Sequence, residues 1–332
     1  MLNLQQRIEI LTQLQKYITG SDAGWLSTKK EAAARNPWFI PAFIDFSIQN
    51  IASRFLEPGA LNKWVAMYDI PAENGNPVNI GVTMAGNIPL VGFHDFLCSF
   101  ITGHKQTIKL SSKDNLLLPH MVEKMASWDA RISHQVRFSD MLKGCDAYIA
   151  TGSGNTARYF EYYFSKYPHV IRRNRTSVAI LKGDENESDL DKLADDVYLY
   201  FGLGCRNVTK IYVPAGYDFI PLLDSFKKYD SLIENHKYKN NYDFNLALLM
   251  LNQKYYMTNG SILLAENPSV FSPISVLHYE FYVRQDDIYN QLNPTEIQCI
   301  SGTDQIPFGS AQYPVLTDYA DGKDTMKFMV EL

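Results

Sequence analysis

From residue 78 onward the chain alternates short extended runs with helical ones, and this alternation restricts the fold more than any other feature. Val78–Met84 reads as a strand and Ile88–Thr102 as a helix with Pro89 near its first turn. Gln106–Leu110 and Asp146–Ala150 read as strands, followed by helices over Leu116–Trp128 and Asn155–Lys166. His169–Arg173 and Ser177–Leu181 are extended, and Ser188–Tyr200 is a helix with a Ser cap and an acidic first turn. Parallel strands need a crossover about as long as a helix, so repeated β-α-β units imply a mostly parallel sheet covered on both faces. Val208–Val213 opens a second α/β lobe after the Gly202-Leu-Gly204 break. Upstream, Leu4, Ile8, Leu11 and Ile18 share one helical face, and a second helix starts at Pro41. Trp64–Ile70 is β-like and is joined to Val78–Met84 by the turn-rich Pro71–Pro77 segment.

The 332 residues suit two domains, and 46% apolar with 20% charged residues is an ordinary globular balance. A net charge of −5 gives no electrostatic footprint for nucleic acid. No apolar run reaches the roughly 18 residues of a membrane span. The first twenty residues lack a basic stretch followed by a continuous apolar one, so they do not read as a signal peptide. The four cysteines (Cys98, Cys145, Cys205 and Cys299) are far apart, which points to free thiols and the cytoplasm. No His/Cys cluster has zinc-ligand spacing, so no metal site is expected.

Four short segments carry chemistry. Gly152-Ser153-Gly154-Asn-Thr-Ala157 follows a strand, opens a helix and fits G-x-G-x-x-G/A, whose glycines let backbone N–H groups approach a pyrophosphate. The alternative is a plain tight turn. No acidic residue ends the next extended run to hold a ribose hydroxyl; Arg172, Arg173 and Arg175 stand there instead, which favours the 2′-phosphate of NADP(H). Tyr162 and Lys166 fit Y-x-x-x-K but share the helix of the glycine turn, so they read as helix surface and core. Cys205, after a glycine break and before a strand, is either a nucleophile or a small buried apolar residue. Asn87, in Met84-Ala85-Gly86-Asn87-Ile-Pro89, either caps a helix or aims its amide at a reacting oxygen.

Taken in order, these segments resemble the aldehyde dehydrogenase superfamily, and more closely its long-chain acyl-CoA reductase branch, the reductase of bacterial bioluminescence fatty-acid complexes. The resemblance runs from about Val78 to the C-terminus. Gly86-Asn87-Ile-Pro89 is similar to the Asn-containing P-W-N-F-P segment, and Thr107-Ile-Lys109-Leu-Ser-Ser112 to V-L-K-P-S-E. Thr151-Gly152-Ser153 is similar to F-T-G-S, and Gly204-Cys205 to the nucleophile segment. Phe271-Ser-Pro273 and Pro307-Phe308-Gly309 are similar to the late F-G-P and P-F-G-G segments. FGLGCRNVTKIYVP and DYADGKDTM are the most specific stretches. The implied fold is aldehyde-dehydrogenase-like, with two Rossmann-like α/β lobes. The implied division is 1–183 for the cofactor lobe, 184–316 for the catalytic lobe and 317–332 for a C-terminal strand or tail.

The departures bear on chemistry. Val170-Ile-Arg-Arg-Asn174 stands where most of the superfamily has a water-activating Glu. An aldehyde oxidiser needs that base to hydrolyse its acyl-enzyme, whereas a thioester reductase does not. Ser112 replaces a Glu that grips the 2′-hydroxyl in NAD-preferring relatives, and Lys113 follows it. Ser269 replaces the Glu before F-G-P, and the N-terminal part is shorter than the family's, with residues 1–60 in its place. The resemblance implies reduction of a long-chain acyl-CoA or other acyl thioester by NADPH. Cys205 would be the nucleophile, Asn87 the oxyanion donor, and Arg206 a group that lowers the thiol's pKa. Ala85, Gly86, Lys109, Ser112, Lys113, Gly152, Ser153 and Gly154 would hold the cofactor. An acyl-donor enzyme or carrier protein is an implied partner. A homodimer or higher oligomer is implied too, built by strands from Trp64–Met84 and Asp324–Leu332; the alternative is that both segments join the chain's own sheets. A degenerate subunit or scaffold, and an aldehyde-oxidising enzyme, are the competing functions.

Overall fold

The computed structural model describes residues 2–152 and 154–332. They form two units, one from residues 2–174 and 314–332 and the other from Arg175–Tyr313. The boundaries thus fall at 174/175 and 313/314, where the sequence suggested 183/184 and 316/317.

The first unit opens with four helices, α1 (Leu4–Ile18), α2 (Ala23–Arg35), α3 (Pro41–Asn50) and α4 (Pro58–Val65). Asn3 caps α1 through a reciprocal pair of hydrogen bonds with Gln6. Leu11, Leu14 and Ile18 are buried along one face of α1, as the spacing requires. A π-helical turn, Ile51–Phe55, extends α3. Then follow β1 (Asn79–Thr83), α5 (Phe93–Ile101), β2 (Lys105–Lys109), α6 (Leu117–Trp128), β3 (Val136–Phe138), β4 (Ala147–Thr151), α7 (Gly154–Phe164) and β5 (His169–Arg172). The strands make one sheet in the order β3-β2-β1-β4-β5, parallel throughout. Phe96, Leu97, Phe100, Ile101 and Ile108 are fully buried in its core.

The second unit contains β6 (Thr176–Ile180), α8 (Glu187–Tyr198), β7 (Val208–Pro214), α9 (Ile220–Ser225), α10 (His236–Leu251), β8 (Met257–Thr258), β9 (Leu263–Glu266), β10 (Val276–Tyr282), α11 (Gln285–Gln291) and β11 (Ile297–Gly302). Its sheet runs β11-β6-β7-β10-β9-β8, parallel except for the short β8–β9 pair. The chain then returns to the first unit and ends in α12 (Thr325–Val330), whose Met326 and Met329 are fully buried in that unit's core.

Several local readings are corrected. Residues 64–70 are not a strand. Glu57 accepts hydrogen bonds from Gly59 and Ala60 N–H and starts α4 at Pro58, and Leu61 and Trp64 bury one face of it. Asp324–Leu332 is not a strand either, because Asp324 caps Lys327 N–H at 2.8 Å and Thr325, Met326 and Met329 form a buried helical face. Among the described residues, 64–84 therefore form no hairpin: β1 lies in the middle of its sheet, paired with β2 and β4. The helix expected from Ile88 starts only at Phe93, since Leu90 has φ +57°, outside the right-handed helical region. The cap of α8 is Asn186, not Ser188. The helix α2 and the strands β3 and β8 to β11 had no strong periodic signal in the sequence.

Candidate functional site

In the first unit, β1 and β4 are neighbours, and the sheet order reverses direction between them. Strand order continues from β1 to β2 and β3 on one side and from β4 to β5 on the other. Open parallel sheets take ligands at the C-terminal ends of strands at such a reversal. Ala85 and Gly86 follow β1 there, Gly152 and Gly154 follow β4, and Thr83 and Ala150 are in register just before them. Ser153 lies outside the described residues. Lys109 ends β2 opposite Thr83, and Lys109, Ser112 and Lys113 are all exposed.

Two glycines are closely packed against their neighbours. A Cβ on Gly86 would sit 2.7 Å from Ser111 Cβ and Oγ, so only glycine lets the loops after β1 and β2 meet. A Cβ on Gly152 would lie 3.0 Å from Thr156 of α7, so the strand-to-helix turn is closed against its own helix. Gly152 N–H also donates to Arg172 C=O at 3.2 Å. The switch point, the glycine turn at a helix N-terminus and the exposed cations after β2 fit a dinucleotide and its phosphates.

The loop carrying Asn87 is pinned from two sides. Ser47 Oγ donates to Pro89 C=O at 2.8 Å, and Leu90 N–H donates to Asp114 Oδ2 at 2.7 Å. Asn87 is half-buried and lies six residues before the first residue of α5, so it is not that helix's cap; Gly92 holds that position. Burial pushes the Asp114 carboxyl up to about 6. A carboxyl with a raised folded pKa stabilises the fold below its unfolded value and loses that contribution as pH rises through the folded one. Asp114→Asn, which keeps an acceptor for Leu90, is therefore expected to stabilise the protein by about 1–2 kcal/mol at neutral pH. The gain should vanish below about pH 4; urea unfolding across pH tests this, and a loss of stability at neutral pH would refute it.

Each arginine of the cluster has partners within the chain. Arg172 is buried, its Nη1 bonds Asp95 Oδ2, and its Nη2 donates to Thr325 Oγ1 at 2.7 Å. Arg173 pairs with Glu161 at 2.6 Å. Arg175 belongs to the second unit and donates to the Pro294 and Ile297 carbonyls at 3.1 and 2.9 Å. Strand β5 must bury its inward side chains, and the buried carboxylate of α5 claims Arg172. Tyr162 is 78% exposed on α7, in keeping with a helix surface.

In the second unit, Cys205 sits between α8 and β7 on an unusual backbone. Tyr200, Phe201 and Gly202 have φ values of 56°, 57° and 73°, three successive left-handed residues. Two of them are not glycine, so the conformation must be over-determined by its surroundings. Asn207 supplies that determination, a role the sequence reading missed. Fully buried, it accepts from Gly204 N–H at 2.8 Å and donates to Asp196 C=O at 3.0 Å and Leu199 C=O at 2.8 Å. The available signal was an Asn three residues beyond a glycine in a turn. Cys205 C=O accepts from Ser177 Oγ at 3.0 Å. Cys205 is half-buried, whereas Cys98, Cys145 and Cys299 are buried. Arg206, next to it, donates to Ala311 C=O at 3.4 Å.

Asp196 was also missed. Its carboxylate accepts from Gly309 N–H at 2.8 Å, Ala311 N–H at 3.0 Å and Ser301 Oγ at 3.2 Å, fastening the Pro307-Phe308-Gly309 segment to α8. Burial pushes its carboxyl up to about 6. Ser269 closes a turn, with Oγ donating to Phe271 C=O at 3.0 Å and its own carbonyl 2.9 Å from His278 Nδ1.

Among the described residues no helix is long and apolar enough to cross a membrane, and no group of three or more His, Cys, Asp or Glu is placed to hold a metal. No protein-family model matches the sequence, and no curated protein is similar to it. Solved structures do match. The Mycobacterium tuberculosis aldehyde dehydrogenase complexed with NAD+ is similar over 94% of this chain and 76% of its own, at 13% identity and a TM-score of 0.64. The NAD+ complex of the Bacillus cereus aldehyde dehydrogenase covers 90% and 72% at 12% identity and 0.65. An NADP dependent enzyme of E. coli covers 90% and 73% at 12% identity and 0.66. The two α/β lobes with mostly parallel sheets thus have the aldehyde dehydrogenase fold.

Proposed function

We propose that this protein is an NAD(P)H-dependent oxidoreductase of the aldehyde oxidation level, and specifically that it reduces an acyl-CoA thioester to the aldehyde through a cysteine acyl-enzyme. The observation that carries the reading is Cys205: the one cysteine not buried among the described residues, presented on a left-handed turn braced by Asn207. The dinucleotide-type switch point of the first unit supports it. So does Val170–Asn174, which holds no carboxylate to activate water for an aldehyde oxidiser.

In this reaction the Cys205 thiolate attacks the thioester carbonyl. A free thiol is only a few per cent thiolate at neutral pH, so a nearby cation or N–H donor is required, and Arg206 is the adjacent cation. The Cys205 backbone N–H and the Asn87 amide take the role of holding the oxyanion. CoA leaves as its thiolate, and an acyl group remains on Cys205. A bound NAD(P)H would supply the hydride for the acyl carbonyl and leave as NAD(P)+; the C–S bond to Cys205 then breaks, the aldehyde departs and the Cys205 thiolate is restored. Ala85, Gly86, Gly152, Ser153 and Gly154 are assigned to the dinucleotide. Exposed Lys109, Ser112 and Lys113 are assigned to its ribose side, where Lys113 favours the 2′-phosphate of NADPH.

The test follows NADPH absorbance with acyl-CoAs of increasing chain length. Oxidation that requires acyl-CoA and runs faster with NADPH than with NADH is expected. Nucleotide binding without turnover on any acyl thioester would overturn the reductase reading in favour of a non-catalytic subunit.

A further inference from the structure

We infer that the groove between the C-terminal end of α10 and strands β9 and β10 of the second unit is a binding site for a small organic cation, a primary amine on an apolar body. The inference is independent of the catalytic reading. The groove has a volume of about 770 Å³. His278 and Glu280 line it from β10, two positions apart and therefore on one face of the sheet. Leu248 and Leu249 of α10, with Pro273 and Val276, supply its apolar walls.

Two acceptors in this groove lack a donor. His278 is only 5% exposed. Its Nδ1 lies 2.9 Å from Ser269 C=O, which can only accept, so Nδ1 carries the ring proton. Burial and the neighbouring Lys210 ammonium lower its pKa, which keeps the ring neutral and leaves Nε2 as an acceptor. Among the described residues Nε2 has no hydrogen-bond partner. A buried acceptor without a donor calls for an explanation, and a donor-bearing ligand provides one. Glu280 holds Lys210 through Oε2, and the same ammonium donates to Pro268 C=O at 2.8 Å and lies 4.6 Å from the centre of the Tyr212 ring. That pairing fixes the Glu280 side chain, which is 32% exposed, and leaves Oε1 for a ligand. Lys210 itself is fully buried. The accessible charges lining the groove are thus the carboxylates of Glu280 and Glu266 against the single ammonium of Lys254. An anion would meet two like charges and two acceptors. A primary ammonium brings three N–H donors, enough to serve Nε2 and Oε1 together, while its apolar body packs on Leu248, Leu249, Pro273 and Val276. Exposed Tyr255, also lining the groove, adds a π face for the cation.

Calorimetric titration of the full chain with phenethylamine tests this, with 2-phenylethanol and phenylacetate as its neutral and anionic counterparts. The amine is expected to bind with a Kd of about 0.1–1 mM. The alcohol and the acid should bind at least about tenfold more weakly, since neither brings a charged donor. Leu248→Lys, at a side chain already 40% exposed, sets a competing ammonium in the wall and should weaken the amine at least about tenfold. Leu251→Lys, one turn further along α10 and outside the groove, should leave it unchanged. Glu280→Gln, which keeps an acceptor for Lys210, should weaken the amine and not the alcohol. No amine binding up to about 10 mM, equal affinity for amine and alcohol, or amine binding that survives Leu248→Lys would overturn the inference.

Discussion

Cys205→Ala is expected to lower acyl-CoA-dependent NADPH oxidation by at least about 10³-fold while leaving nucleotide binding and the unfolding midpoint nearly unchanged. The size follows from the assigned role: without the sulfur no acyl-enzyme forms, and hydride has no activated carbonyl to reach. The selectivity follows from place. Cys205 is half-buried, its carbonyl accepts from Ser177 Oγ, and the turn is braced by Asn207. Removing the sulfur therefore leaves the scaffold standing. Rapid alkylation of one thiol, blocked by acyl-CoA, should accompany the activity and disappear in the variant. Asn87→Ala should cost on the order of 10²–10³ in kcat if its amide holds the oxyanion. Turnover near normal in Cys205→Ala would end the nucleophile assignment outright.

The largest stability effect is expected at the buried ion pair of the first unit. Asp95 on α5 and Arg172 on β5 are both nearly inaccessible, and Arg172 reaches on to Thr325 of α12. Asp95→Ala leaves a guanidinium buried against a single hydroxyl and should cost about 3–5 kcal/mol in urea unfolding. The double replacement Asp95→Leu with Arg172→Met removes both charges and should recover most of that loss, because an isosteric apolar pair has no desolvation cost to offset. Equal destabilisation by the single and double variants would show that side-chain shape, and not the stranded charge, sets the penalty.

These residues also show how far sequence reading reaches. The α/β alternation gave the strands around Val78, Gln106, Asp146 and Val208 within a residue or two, because period-2 apolar runs bounded by turns are a local signal. The glycine turn at Gly152 was legible for the same reason. The segment at Trp64 failed because aromatic and β-branched residues favour strands, while the start signal, Glu57 followed by Pro58, lay outside the window. Asp324 misled in the same way. Arg172 was misplaced because its partner, Asp95, is distant in sequence, and no spacing rule pairs them. Asn207 and Asp196 escaped notice because their roles consist of bonds to backbone groups, and a buried polar side chain leaves no periodic trace.

The first unit is interrupted in the chain: residues 314–332 complete what residues 2–174 begin. A ribosome makes the chain in one direction, so the nascent first unit must wait through all of Arg175–Tyr313 before Met326 and Met329 can fill its core. During that wait the apolar faces of α4 and α5 that later receive Tyr319 and α12 stay open, while the second unit, continuous in sequence, is free to fold as soon as it emerges. Synthesis thus reverses the written order, with the second unit finished before the first. The exposed interval is a period of vulnerability to aggregation and proteases, and slowing translation within residues 175–313 would lengthen it.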